Sequence, residues 1–237
     1  MSFGYEYRLA AHAAAAERAA FIRRTYAHLA GAVLAFAAIE AVLINFFPDV
    51  AEASAELVMG GGRLMWLAVL GAFLAVSWVA NYWAMSRTSV ATQYAGLGLY
   101  VLAEAAIFLP LLWIADVKFP GSIKTAAVLT GCVFGGLTVT VFLTRSDFSF
   151  LRPFLVVGSF LALGFIVVTC FLPVPLNLGV IFCFAMVALL SGYILYQTSN
   201  VLHHYRTDQH VAASLALFSS VATLFWYVLQ IVMSRRS

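Results

Sequence analysis

The feature that most constrains this chain is its punctuation. Apolar runs of about twenty residues follow one another, with Asp, Glu, Lys and Arg held mostly to the short segments between them. A helix of about 20 mostly apolar residues is what a bilayer span requires. Composition closes off the alternative. Of 237 residues, 64% are hydrophobic and 10% charged, whereas a soluble domain carries about 25% charged residues and could not cover so much apolar surface. The solvent is lipid, and the expected fold is an all-α integral membrane protein.

Taken in order, the runs predict seven transmembrane helices near residues 25–47, 64–83, 91–114, 126–143, 154–172, 176–196 and 212–233. Residues 1–24 hold Glu6, Arg8, Glu17, Arg18, Arg23 and Arg24 spread through an Ala-rich stretch with no apolar core between them. That excludes a cleavable signal and suggests an amphipathic segment along the membrane surface. Residues 25–237 then form a single membrane domain. Asp49, Glu52 and Glu56, followed by three glycines at 60–62, read as a polar loop and a flexible turn. Pro110 removes a backbone donor inside the third span and should kink it. Gly131 and Gly135, in GxxxG spacing, predict close helix contact in the fourth. Pro173–Pro175 imply a short extended turn. Cys132, Cys170 and Cys183 stand alone in apolar runs and read as buried thiols.

Positive charge sets the expected orientation. With seven spans, Arg8, Arg18, Arg23, Arg24, Arg87, Arg145, Arg152 and Arg206 lie on one side, and Arg63, Lys118, Lys124, Arg235 and Arg236 on the other. The first set is the larger, so the N-terminus is expected to be cytoplasmic, in a cell (inner) membrane. A re-entrant last segment would sharpen the bias, but 212–233 has the length of a full crossing. The basic residues form no stripe for nucleic acid. HExxH, GxSxG and Walker patterns are missing, so no enzyme is expected. The two lysines, Lys118 and Lys124, share one loop and leave no retinal-type Schiff base in the last span.

The last two runs carry the most polar detail. Gln197, Thr198 and Ser199 end one arm of a hairpin, Ser219, Ser220 and Thr223 lie inside the other, and the turn holds His203, His204, Arg206, Asp208 and His210. Together with RRTY at 23–26, TRSDFSFL at 144–151 and SGYILY at 191–196, this resembles the Bax inhibitor-1/YccA family over nearly the whole length. The resemblance implies seven spans with the last helix central in the bundle. It implies a pH-sensitive calcium leak, or restraint of a membrane-bound AAA protease. The family ties the leak to two facing aspartates, one directly after YILY and one in the middle of the last span. Gln197 stands at the first position, and Ser220 (or Ser219) at the second. Carboxylates a few ångströms apart share a proton, while Gln and Ser cannot titrate. A hydrogen-bonded latch across the hairpin is therefore expected, without acid sensing.

Glu40 and Glu104 are the carboxylates lying well inside spans. Intramembrane acids mark ion or proton paths, unless they are paired packing residues. Measured from Arg24 and Ala91 at the starts of parallel spans, they fall at similar depth, which suggests a shared cation or proton site; Arg63 could also reach Glu40. Asp147 reads as a cap for the fifth span, as a partner of Arg145 or Arg152, or, with Arg145 and Arg206, as part of the cytoplasmic mouth. His203, His204, Asp208 and His210 are metal-ligand types, but adjacent histidines diverge on a helix, and a solvated turn is favoured. His28 reads as a hydrogen-bonded packing residue. No resident cofactor is expected; calcium would be a permeant or bound ion. The partners expected are the bilayer and a membrane protease or other membrane protein.

Overall fold

The computed structural model describes residues 9–86, 89–172 and 176–236; of residues 63, 64, 176 and 177 only the backbone is described. Arg8, Arg87, the side chain of Arg63 and the turn at 173–175 therefore lie outside the described residues. The described chain forms eight α-helices: α1 (Ala15–Phe46), α2 (Pro48–Gly60), α3 (Gly62–Ala84), α4 (Val90–Lys118), α5 (Ser122–Thr144), α6 (Arg152–Phe171), α7 (Leu176–His203) and α8 (His210–Ser234). All but α2 are long and apolar enough to cross a membrane, seven candidate spans among the described residues. At 25 residues, α8 is about 37 Å long. That is the length of a full crossing, as a single unbroken helix. The end of the bundle where α1 begins is called the near end below, and the opposite one the far end.

The last helix is the axis of the bundle. In its most apolar window 56% of residues are buried, with 50% for α4, against 6–22% for the other five spans. It packs against α1, α3, α4, α5 and α7. Alanine and serine at Ala212, Ala213, Ser214 and Ala222 let neighbours approach, while Leu215, Leu217, Leu224 and Leu229 fill the space between. Aromatic rings complete the core: Phe108 meets Phe36 at 5.1 Å and Trp226 at 4.9 Å, both edge-on, and Phe218 meets Tyr100 at 6.1 Å. Offset and edge-on pairs of this kind add about 0.5–1.5 kcal/mol each beyond their burial.

Four local expectations are corrected. Residues 15–24 are not a separate surface segment, because α1 runs unbroken from Ala15 through the span. Only Leu9 to Ala14 precede it among the described residues, and there Leu9 pairs with Arg206 while the Ala10 amide donates to the Tyr205 carbonyl at 2.9 Å. The expected loop at 48–60 is helical. Pro48 stands in its first turn, where its missing N–H is harmless, and Asp49 suits the positive end of the dipole. Ala51 and Ala55 are buried on the side that meets α4; Asp49, Glu52 and Glu56 form the exposed face. Gly62, at φ 68°, makes the sharp turn into α3 that an L side chain would resist.

The third correction concerns Gly131 and Gly135. A Cβ at either would meet nothing within 4 Å, so these glycines face open space and not a neighbouring helix. The close approach occurs at Gly96, where a Cβ would collide with the Ala80 carbonyl and the Ala84 amide. The fourth concerns the thiols: Cys183 is buried, but Cys132 is exposed on the outer face of α5.

Candidate functional site

At the near end the α5–α6 loop closes onto α7. Thr144 ends α5, and Arg145 adopts the left-handed region at φ 50°, a conformation that caps helices but suits glycine better than arginine. The reversal brings Asp147 over the end of α7. Its Oδ1 accepts from the Ser149 amide at 2.9 Å and the Ser199 hydroxyl at 3.3 Å, and its Oδ2 lies 3.1 Å from His204 Nε2. Ser199, fully buried, also accepts from the Phe148 amide at 2.9 Å. Asp147 thus takes the first amide of the short 3-10 turn at Ser149–Leu151 that leads into α6, but it is not the N-cap expected there: Phe148 and Leu151 hold the cap positions of the turn and the helix. Its partners are Ser149, Ser199 and His204 in place of Arg145 or Arg152. Partial desolvation resists its ionisation, but the Ser149 amide, His204 and the Ser149 hydroxyl together outweigh it and hold the carboxyl below its usual range.

The turn between α7 and α8 is tied independently. Arg206 grips Asp208 through two hydrogen bonds, Nε to Oδ1 at 3.1 Å and Nη2 to Oδ2 at 3.0 Å. The Thr207 hydroxyl donates to Glu17 of α1 at 2.7 Å. Of the residues expected at the mouth, Asp147 and Arg206 are thus both at the near end, but each has its own partner, and Arg145 is exposed. His28 is the hydrogen-bonded packing residue the sequence suggested: Nδ1 lies 2.6 Å from the Arg24 carbonyl and Nε2 2.8 Å from the Tyr94 hydroxyl. The His210 ring stands 5.0 Å away.

The expected latch between Gln197 and Ser220 is not formed by hydrogen bonds. Gln197 Oε1 lies 3.5 Å from Asn200 Nδ2 on its own helix. The Ser220 hydroxyl donates back to the Ala216 carbonyl of α8 at 3.2 Å. Ser219 takes the other direction and accepts from the Tyr100 hydroxyl of α4 at 2.7 Å. Consecutive residues on a helix point about 100° apart, so only one of the two serines can face a given neighbour. α7 and α8 instead meet through an apolar seam that includes Ile194, fully buried, and the edge-on pair of Phe182 with Tyr227.

Glu104 lies at the polar centre of the bundle. It is 2% exposed and sits beside Tyr100, one turn back on α4, which in turn lies beside Ser77 of α3 and Ser219 of α8. Glu104 Oε1 has no hydrogen-bond partner. Glu40, 4% exposed, has no partner on either oxygen. The two acids do not share a site. Phe36 of α1 meets Phe108 of α4; Glu40 follows Phe36 by one turn, and Glu104 precedes Phe108 by one. In parallel helices that offsets the carboxyls by about 12 Å along the axis. The equal depth expected from the span starts fails because the register is set by these two rings. Glu40 instead lines a cleft of about 790 Å³ between α1 and α5, and Glu104 does not.

Two polar groupings escaped the sequence. Tyr100 was detectable, since its spacing of four residues from Glu104 puts both on one helix face. Tyr26 of α1, Thr138 of α5 and Thr198 of α7 also place three buried hydroxyls together, and no spacing within one helix signals that.

Comparison with known proteins gives a consistent result. The profile of the family described as "Inhibitor of apoptosis-promoting Bax1" matches residues 18–237. An uncharacterised protein of Pseudomonas aeruginosa is 32% identical over 161 residues, 67% of this chain and 68% of that protein. Protein LIFEGUARD 4 of Arabidopsis thaliana is 27% identical over 216 residues, 89% of this chain and 83% of the relative. The modulator of FtsH protease YccA of Escherichia coli is 34% identical over 104 residues, 44% of this chain and 46% of YccA.

Proposed function

This chain belongs to the Bax inhibitor-1/YccA family, and from that premise we propose that it is a cation leak of a bacterial-type inner membrane, with its N-terminus cytoplasmic and Glu104 as its ion-accepting group. The supporting observation is the Glu104 carboxylate itself, buried in the bundle centre, with one oxygen unpartnered and beside it the Tyr100 hydroxyl, which in turn meets Ser77 of α3 and Ser219 of α8. An ionisable residue inside a span is costly to bury and marks an ion or proton path by default. Tyr100 and Ser219 orient the site. Calcium or another cation would be cargo here, with no resident cofactor. Because Gln197 and Ser220 carry no titratable proton, the hairpin supplies no aspartate-pair gate, and aspartate-based pH sensing is altered or absent.

The test is calcium and proton flux through the purified chain in liposomes at acidic and neutral pH. Expected is a flux that Glu104→Gln lowers at least tenfold, with Tyr100→Phe intermediate. Flux unaltered by Glu104→Gln would remove the proposal. A second reading is a non-conducting regulator of a membrane-bound protease. It is favoured by the rings of Phe36, Phe108 and Trp226, which fill the core beyond Glu104, and by the name of the Escherichia coli relative. Absent flux together with co-purification of a membrane AAA protease would favour that reading.

A further inference from the structure

The cleft between α1 and α5 is a feature that the Glu104 reading leaves unused. It follows α1 from Tyr26 to Asn45, about 28 Å along the helix, so it runs most of the way through the membrane. Its volume of about 790 Å³ lies within the range of small-molecule sites. Small side chains on both walls, among them Ala30, Ala37 and Gly131, leave it unfilled, and Phe134, Phe218 and Phe225 give it apolar sides. Its flanks open to the lipid: Leu34 of α1 is 69% exposed and Val128 of α5 59%.

Charge decides what such a slot accepts. Glu40 lines it toward the far end, with Asn45 and Asp116 nearer the rim, and no Lys or Arg lines it among the described residues. Both Glu40 oxygens are buried and unpartnered. A phospholipid would bring its phosphate against two acids. A bare divalent cation needs six to eight oxygens, and no group of three or more His, Cys, Asp or Glu side chains converges among the described residues. What remains complementary is one positive donor carrying a hydrocarbon tail. A primary ammonium has three N–H donors for a carboxylate, and its chain would follow the apolar walls.

We propose that the α1–α5 cleft binds a single-chain amphipathic amine taken laterally from the bilayer, its ammonium on Glu40 and its tail running toward Tyr26. This site is separate from Glu104 and does not depend on any flux.

The probe is radiolabelled dodecylamine, measured by equilibrium binding to the full chain in nanodiscs, with dodecanol as the neutral partner of the same tail. Dodecylamine is expected to bind saturably and at least tenfold more tightly than dodecanol. Glu40→Gln should erase that difference and Glu40→Asp should keep most of it. Gly131→Leu, which has room for its side chain, should block both ligands while leaving the unfolding midpoint within a few degrees. Equal binding of amine and alcohol would overturn the proposal, because it would mean partition into lipid only. So would tight amine binding that survives both Glu40→Gln and Gly131→Leu.

Discussion

The α3–α4 seam and the α1–α5 cleft use the same small residues to opposite ends. At the first, Gly96 brings α4 so close to α3 that a single added carbon would strike the Ala80 carbonyl and the Ala84 amide. At the second, Gly131, Gly135 and Gly136 meet nothing, and α1 stays apart from α5 along a slot lined by Glu40. Small residues permit close packing but do not cause it. What closes the first seam is the ring and hydroxyl set behind it, with Phe73 6.1 Å from Tyr100 and Tyr100 bonded to Ser219. Behind the second lies an acid with nothing to bond. The closed seam holds the bundle together, and the open one is free to take a ligand.

Alanine at the two positions breaks the comparison most strongly. Gly96→Ala should destabilise the protein by about 2–3 kcal/mol, as overpacking against backbone does, because neither the Ala80 carbonyl nor the Ala84 amide can swing aside. Gly131→Ala should go the other way, since alanine is the better helix former by up to about 1 kcal/mol and its Cβ has room. Unfolding midpoints in detergent read both. Equal losses at the two sites would mean that the cleft is closed in the folded protein.

Ser199→Ala gives the next effect in size. Ser199 takes the Phe148 amide and reaches Asp147, so alanine leaves a backbone donor unmet, worth about 1–3 kcal/mol if it stays buried. The loop over α7 should loosen first. The measurement is faster protease nicking at residues 145–148, with flux through the bundle unaltered. No change in nicking would show that the loop is held by its own caps.

How much of this could be read beforehand follows from what lipid demands. The seven spans were legible because hydropathy is itself the folding force in a bilayer. The helix α2 was not, because Asp49, Glu52 and Glu56 look like a loop until their spacing of three and four residues is set against Ala51 and Ala55. Glu40 and Glu104 could be named from sequence as buried acids. Their 12 Å offset could not, since one ring contact between Phe36 and Phe108 fixes it. The hairpin shows the same limit at finer grain. Ser219 and Ser220 were both named, but which of them faces α4 is a matter of helix rotation. The GxxxG glycines mark α5 as smooth without saying which neighbour, if any, lies against it.

The smallest effect belongs to Asp147 and separates the near-end closure from the deep sites by its pH dependence. The Ser149 amide and His204 hold its carboxyl below the usual range in the folded protein. A carboxyl whose native pKa is depressed stabilises the fold in full above its unfolded value of about 3.9. That contribution is lost as the pH falls through the lower native value, where the folded state must also take up the proton. Asp147→Asn should therefore lower the unfolding midpoint near neutral pH, and its difference from the unaltered protein should shrink as the pH falls toward about 3. The side chain is 45% exposed, so solvent screens the interaction and the shift should be slight. A difference that widened in acid would mean that the folded protein does not favour the Asp147 carboxylate, and that the loop closes on Ser199 alone.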